Sequence, residues 1–134
     1  MAVSPDFVVF AIEQLSLLGR VTSRRMFGGV GLYADDLFFG LIADDTLYFK
    51  VDDSNRGDYE RRGCKPFQPF ADKPEFSMNY YDVPADLLDD AEGLSGWARK
   101  SVAVALMAAS KKVRTREKRS AKKKKIALTT KRLR

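Results

Sequence analysis

The residues with the clearest chemical potential are cations. Residues 111–134 contain Lys111, Lys112, Arg114, Arg116, Lys118, Arg119, Lys122, Lys123, Lys124, Lys125, Lys131, Arg132 and Arg134, against the single acid Glu117. Dense Lys and Arg neutralise phosphates and release condensed counterions, so the stretch suits a nucleic-acid backbone. Base readout is another matter. The stretch has no aromatic residue to stack on bases and no Asn or Gln to grip their edges, which leaves only its arginines for reading sequence. Sequence-independent contact with nucleic acid is therefore the expected use. A purely solubilising tail, or attraction to an anionic lipid surface, would draw on the same charge.

The rest of the chain differs. The whole protein carries 24 basic and 18 acidic residues, a net +6, so residues 1–110 hold 11 bases and 17 acids and are net −6. Histidine is absent, which removes the usual neutral-pH base and the commonest transition-metal ligand. Cys64 is the only cysteine, so an intrachain disulfide and a cysteine zinc site are excluded. Lys65 beside it would lower the thiol pKa slightly, but a structural thiol is the simpler reading. Acidic pairs at 35/36, 44/45, 52/53 and 89/90 sit where turns or helix ends are needed and lack EF-hand spacing. Gly28, Gly29 and Gly31 lack the Gly-Lys-Ser/Thr of a phosphate loop and the third glycine of a dinucleotide fingerprint. They read as a tight turn or bulge. A non-enzymatic protein without cofactor or metal is expected.

These charges need elements to hold them. Ser4-Pro5-Asp6 has the order of a helix start, with a capping hydroxyl, proline in the first turn and an acid at the positive dipole end. Val8, Ile12, Leu15 and Leu18 share one face, and Gly19 supplies the stop. Runs over 30–33, 37–42 and 46–51, divided by Asp35-Asp36 and Asp44-Asp45, predict two successive hairpins, with 21–26 as a further strand before them. In the last run Leu47, Phe49 and Val51 alternate with Tyr48 and Lys50, marking a half-buried antiparallel strand. A polar helix follows from Asp52 to about Arg62, ended by Gly63. Residues 76–82 form another strand, with Tyr80 and Tyr81 on opposite faces, one packed and one showing. Pro84 starts a helical turn that Gly93 interrupts, and a helix resumes at Leu94 with Trp97 as its core anchor.

The order predicted is helix, three to four strands, helix, one to two strands, then helices. That is an α+β two-layer sandwich on an antiparallel sheet. Residues 1–110 make one domain large enough for a real core, and 111–134 a basic tail, either disordered or partly helical. No stretch approaches the roughly 18 apolar residues of a membrane span, and a signal peptide is not evident, so a cytoplasmic location is expected.

The run from Ser23 to Tyr33, which includes Arg24, Arg25, Met26, Phe27, Gly28, Gly29 and Gly31, resembles the opening signature of the TfoX/Sxy N-terminal domain family. The resemblance continues through Phe39-Gly40-Leu41-Ile42, Leu47-Tyr48-Phe49-Lys50-Val51-Asp52, Gly63 to Phe67, Tyr80-Tyr81-Asp82-Val83-Pro84 and Trp97-Ala98-Arg99-Lys100, about residues 5 to 110 in all. It implies a fold similar to the two-layer secretion chaperones. It also implies a role in regulating natural competence, where family members act as coactivators of cyclic-AMP-receptor-dependent transcription. Full-length competence regulators carry a second domain where this chain has its basic tail, so a stand-alone N-terminal domain is expected. The functional expectation is a transcriptional coregulator with a protein partner and a nucleic-acid-binding tail. The alternative is a protein-interaction module with no direct nucleic-acid role. Open hairpin edges leave room for a homodimer.

Overall fold

The computed structural model describes residues 3–26, 28–68 and 79–132, with side chains through Arg119. It is an α+β protein built on one antiparallel sheet. Among the described residues, five strands lie in simple chain order: β1 (Val21–Met26), β2 (Gly29–Ala34), β3 (Leu37–Ala43), β4 (Thr46–Lys50) and β5 (Tyr80–Asp82). Helix α1 (Pro5–Gln14) precedes the sheet, α2 (Arg56–Glu60) separates β4 from β5, and α3 (Ala91–Arg132) closes the chain. Among the described residues, no helix is long and apolar enough to cross a membrane.

Both expected hairpins form at the aspartate pairs. Asp35, Asp36, Asp44 and Asp45 all take positive φ, between 49° and 64°. That is what a two-residue loop matched to the sheet's twist demands, and Asp tolerates it better than most residues. Asp45 also reaches beyond its own turn, where its Oδ1 accepts the Ser4 backbone N–H at 2.6 Å. The expected Ser4 hydroxyl cap is not made. The start of α1 is held instead through the Ser4 main chain against the β3–β4 turn.

One sheet face carries the main core. Val30, Leu32, Phe39, Ile42, Leu47 and Phe49 pack there beneath Leu15 of the first helical segment and Leu94 and Ala98 of α3. In β3 the register slips: Tyr33 pairs with Phe38 and Leu32 with Gly40, leaving Phe39 unpaired opposite β2. This bulge inverts the alternation locally, so Phe39 and Ile42 both reach the core, while Phe38 and Leu41 fall on the opposite face.

That opposite face is also apolar. Leu41, Ala43 and Tyr80 are buried there, with Phe38, Tyr48 and Phe67 packed around them. The expectation that one tyrosine of the 80/81 pair would be left showing is therefore corrected. Tyr80 packs in this second cluster, and Tyr81 packs against the main core near Tyr59. The strand itself is Tyr80–Asp82; the earlier part of the expected strand lies outside the described residues.

The last helix also departs from expectation. A 3-10 turn covers Ala85–Asp89, and the break falls at Asp90 (φ −121°, ψ 87°), not at Gly93. Asp90 Oδ1 accepts the Gly93 N–H at 3.1 Å, and the Asp90 carbonyl accepts from Leu94 at 2.8 Å. A strong cap three residues upstream places Gly93 inside the first turn, where its low helix propensity costs little.

Candidate functional site

Helix α3 carries the cationic stretch away from a firmly held root. Leu94 and Ala98 are fully buried. Trp97 meets the ring of Tyr59 edge-on at 4.7 Å, and Lys100 Nζ lies 2.7 Å from Asp58 Oδ2. From there the helix continues without a break to Arg132, 42 residues in all and about 63 Å long. Lys111, Lys112, Arg114, Arg116, Lys118 and Arg119 are all exposed on it. Helical spacing sets Lys111, Arg114 and Lys118 on one stripe and Lys112, Arg116 and Arg119 on the next. Val113 and Glu117 take the other side. Lys122, Lys123, Lys124, Lys125, Lys131 and Arg132 belong to the same helix by backbone; Arg134 lies outside the described residues.

The root of this helix couples to the sheet electrostatically. Burial lowers the pKa of Lys50, and the Lys112 ammonium adds to that shift. The Asp52 carboxylate is held below its ordinary range, chiefly by the Ser54 hydroxyl, with Lys111 contributing. The first two tail lysines therefore lie within electrostatic reach of the end of β4.

A second basic region occupies β1, three strand spacings, or about 14 Å, from β4. Its residues Thr22, Ser23, Arg24 and Arg25 are exposed. The Arg24 guanidinium lies over the Tyr33 ring at 4.9 Å. Arg25 turns to the opposite side, into a groove shared with α1, and Met26 closes the strand beside it. The Gly28-Gly29 turn is structural, as expected: Gly28 has φ +77°, and a Cβ on Gly29 would stand 2.6 Å from the Ile42 carbonyl oxygen. Gly31 faces the Met26 side chain and the Tyr33 ring. Phe27 lies outside the described residues.

Between the two basic regions runs a row of rings that sequence reasoning missed. Tyr33 stacks on Phe38 at 5.2 Å, and Phe38 meets Tyr80 at 5.4 Å. Lys50 Nζ closes the row 5.9 Å from the Tyr80 ring. Burial, with a further contribution from Tyr33, pushes the Tyr80 phenol up to about 12. The only sequence signal was aromatic residues at alternating strand positions, and their alignment depends on the β3 bulge.

Cys64 packs half-buried against the main core. Burial, then the Asp82 carboxylate, pushes its thiol pKa up, so the slight lowering expected from Lys65 is overturned. The acidic pairs serve the backbone: 35/36 and 44/45 make the hairpin turns, Asp52 Oδ1 accepts the Ser54 N–H at 2.8 Å, and Asp90 caps α3.

Comparison with known proteins agrees with this architecture. The family model for the TfoX N-terminal domain matches residues 13–105, from the end of α1 through the sheet to the anchored part of α3. A protein of Aliivibrio fischeri named DNA transformation protein TfoX1 is 37% identical over 78 residues. That match covers 53% of this chain and 37% of the relative's length. Strands, bulge, glycine turn and helix root all fall within the matched region, and the chain belongs to the TfoX N-terminal domain family.

Proposed function

We propose that this protein is a non-enzymatic regulator of the competence type, acting as a transcriptional coregulator. Its α+β body docks on a protein partner, and its α3 extension holds nucleic acid by the phosphate backbone. One observation carries the reading: the cations of residues 111–119 are exposed on a helix whose root is packed into the core of an otherwise acidic body. Family membership and the transformation-protein name of the Aliivibrio relative support the regulatory half.

A gel-shift titration comparing the full chain with protein truncated after Ser110 tests the nucleic-acid half. The full chain should bind duplexes of unrelated sequence equally. If six cations engage phosphates, log affinity should fall against log salt with a slope of about −5. Equal affinity in the truncated protein would remove the tail from the proposal. The second reading, an interaction module with no nucleic-acid role, draws on the apolar second face of the sheet. It predicts partners that survive nuclease treatment of a lysate.

A further inference from the structure

Strand β1 is the first strand of the sheet order and pairs only with β2 among the described residues. An antiparallel edge strand turns the N–H and C=O of alternate residues outward, unpaired. Four consecutive residues of this edge, Thr22 to Arg25, are exposed. Next to it lies a groove of about 740 Å³ between β1 and α1, lined by Val3, Pro5, Val8, Val9, Ser23 and Arg25. Val9 remains 56% exposed there.

Among the described residues, the arginines of this edge lack the aspartate partners that several other cations of the body have; Arg99, for its part, donates to the Leu17 carbonyl. Arg56, Arg61, Arg62 and Lys100 each pair with an aspartate. Arg20 and Arg25 have no acidic partner among the described residues, Arg24 has only the Tyr33 ring, and residues 20–34 contain no acid. A net-negative body therefore keeps an unpaired cationic strip along an open β-edge. A second copy of this chain fits poorly, because antiparallel self-pairing of β1 would gather four arginines around the two-fold axis. Nucleic acid would satisfy the arginines but leave the backbone ladder and the valine-lined groove unused.

We infer that β1 is a docking edge for an extended acidic peptide segment of a protein partner. The segment adds as a sixth antiparallel or parallel strand, its alternate acids on the face of Arg24 and its branched apolar residues on the opposite face, over Val8 and Val9 beside Arg25. This rests on the protein-partner half of the proposed function. Its primary test contains no nucleic acid, so either can fail alone.

The probe is a capped peptide of alternating Glu and Val, roughly six residues long, mixed with the full chain and followed by residue-resolved amide exchange. Protection should appear at residues 21–26, and the Arg24→Glu/Arg25→Glu protein should lose about tenfold or more in affinity. A peptide with Lys in place of Glu should leave β1 unprotected in the natural protein and protect it in the charge-reversed one. Should the double variant fail to fold, the Glu-to-Lys peptide comparison on the natural protein decides alone. Protection confined to residues 111–134, or equal β1 protection by both peptides, overturns the inference. So does a single-stranded DNA oligomer that displaces the peptide from β1, or β1 protection that grows with protein concentration in the absence of peptide.

Discussion

The Ser101 hydroxyl donates to the Lys50 carbonyl at 2.8 Å, tying the packed N-terminal part of α3 to the last residue of β4. Ser101 is fully buried, and the same carbonyl accepts from Asn55 Nδ2 at 3.1 Å. Three elements thus meet on one oxygen: the end of a core strand, the start of α2 and the helix that carries the cations. Replacing Ser101 by Ala leaves that oxygen one partner, so the expected cost is about 1 kcal/mol. A urea titration should show the midpoint lowered with the slope unchanged.

Tyr59 presents the opposite case. Its ring is 1% exposed and packs against Trp97 and Tyr81, yet its hydroxyl is buried without a hydrogen-bond partner of good geometry. Ser101 lies near enough to bear on the phenol, but burial dominates and pushes its pKa well up. Tyr59→Phe removes a desolvated hydroxyl and keeps the packing, so stability should stay within about 1 kcal/mol or rise. Tyr59→Ala should cost about 3–5 kcal/mol through the cavity it leaves. Paired thermal melts of the two variants distinguish a packing role from a polar one.

The β2–β3 turn has room to improve. Asp35 and Asp36 hold φ of 49° and 64°, and both are exposed. Asp36→Gly creates the favoured Asp-Gly hairpin loop and should stabilise the fold by up to about 1 kcal/mol, whereas Asp36→Val should destabilise it. Calorimetric midpoints moving in opposite directions would check the pair.

These turns mark what the sequence made legible. Two aspartates between apolar runs have few conformational options, so both hairpins and the alternation of Leu47 to Val51 could be read locally. The β3 bulge could not, because the run from Leu37 to Ile42 is apolar on both faces and gives no sign of where the period of two breaks. The failed expectation about Tyr80 and Tyr81 has the same origin: a sheet apolar on both faces packs residues of either parity. Gly93 misled because a glycine's propensity is weaker than the Asp90 cap upstream of it. For the candidate site, counting charges located the tail. The cationic character of Arg24 and Arg25 gains its meaning only from strand order, which puts β1 at the rim.

Acid should weaken the α2–α3 contact. The Asp58 carboxylate is held below its ordinary range, first by its hydrogen bond to Lys100 and then by the charges of Lys100 and Arg61. A carboxyl whose folded pKa is depressed contributes stability above its unfolded pKa, and that stability is lost as pH falls through the folded value. Lys100 and Arg61 are largely exposed, so screening should keep the contribution below about 1 kcal/mol. Asp58→Asn should therefore lower stability at neutral pH and flatten its decline below about pH 4, as read from urea midpoints across pH.

The outer part of α3 should respond to salt. Lys112 and Arg116, Arg114 and Lys118, and Lys118 and Lys122 are like-charged pairs at i,i+4 spacing, and Lys122 to Lys125 is an unbroken quartet. Such pairs each oppose the helix by a few tenths of a kcal/mol, and 111–134 offers little apolar surface to offset them. Screening or neutralising the charges should strengthen the outer turns, while the packed turns at Leu94 and Ala98 should not change. The difference in helical circular dichroism between the full chain and protein truncated after Ser110 should grow with sodium chloride, and grow further with stoichiometric polyphosphate. A difference indifferent to both would mean that the outer helix holds itself against its own charge. Nucleic acid would then meet a preformed rod and not one that it helps to order.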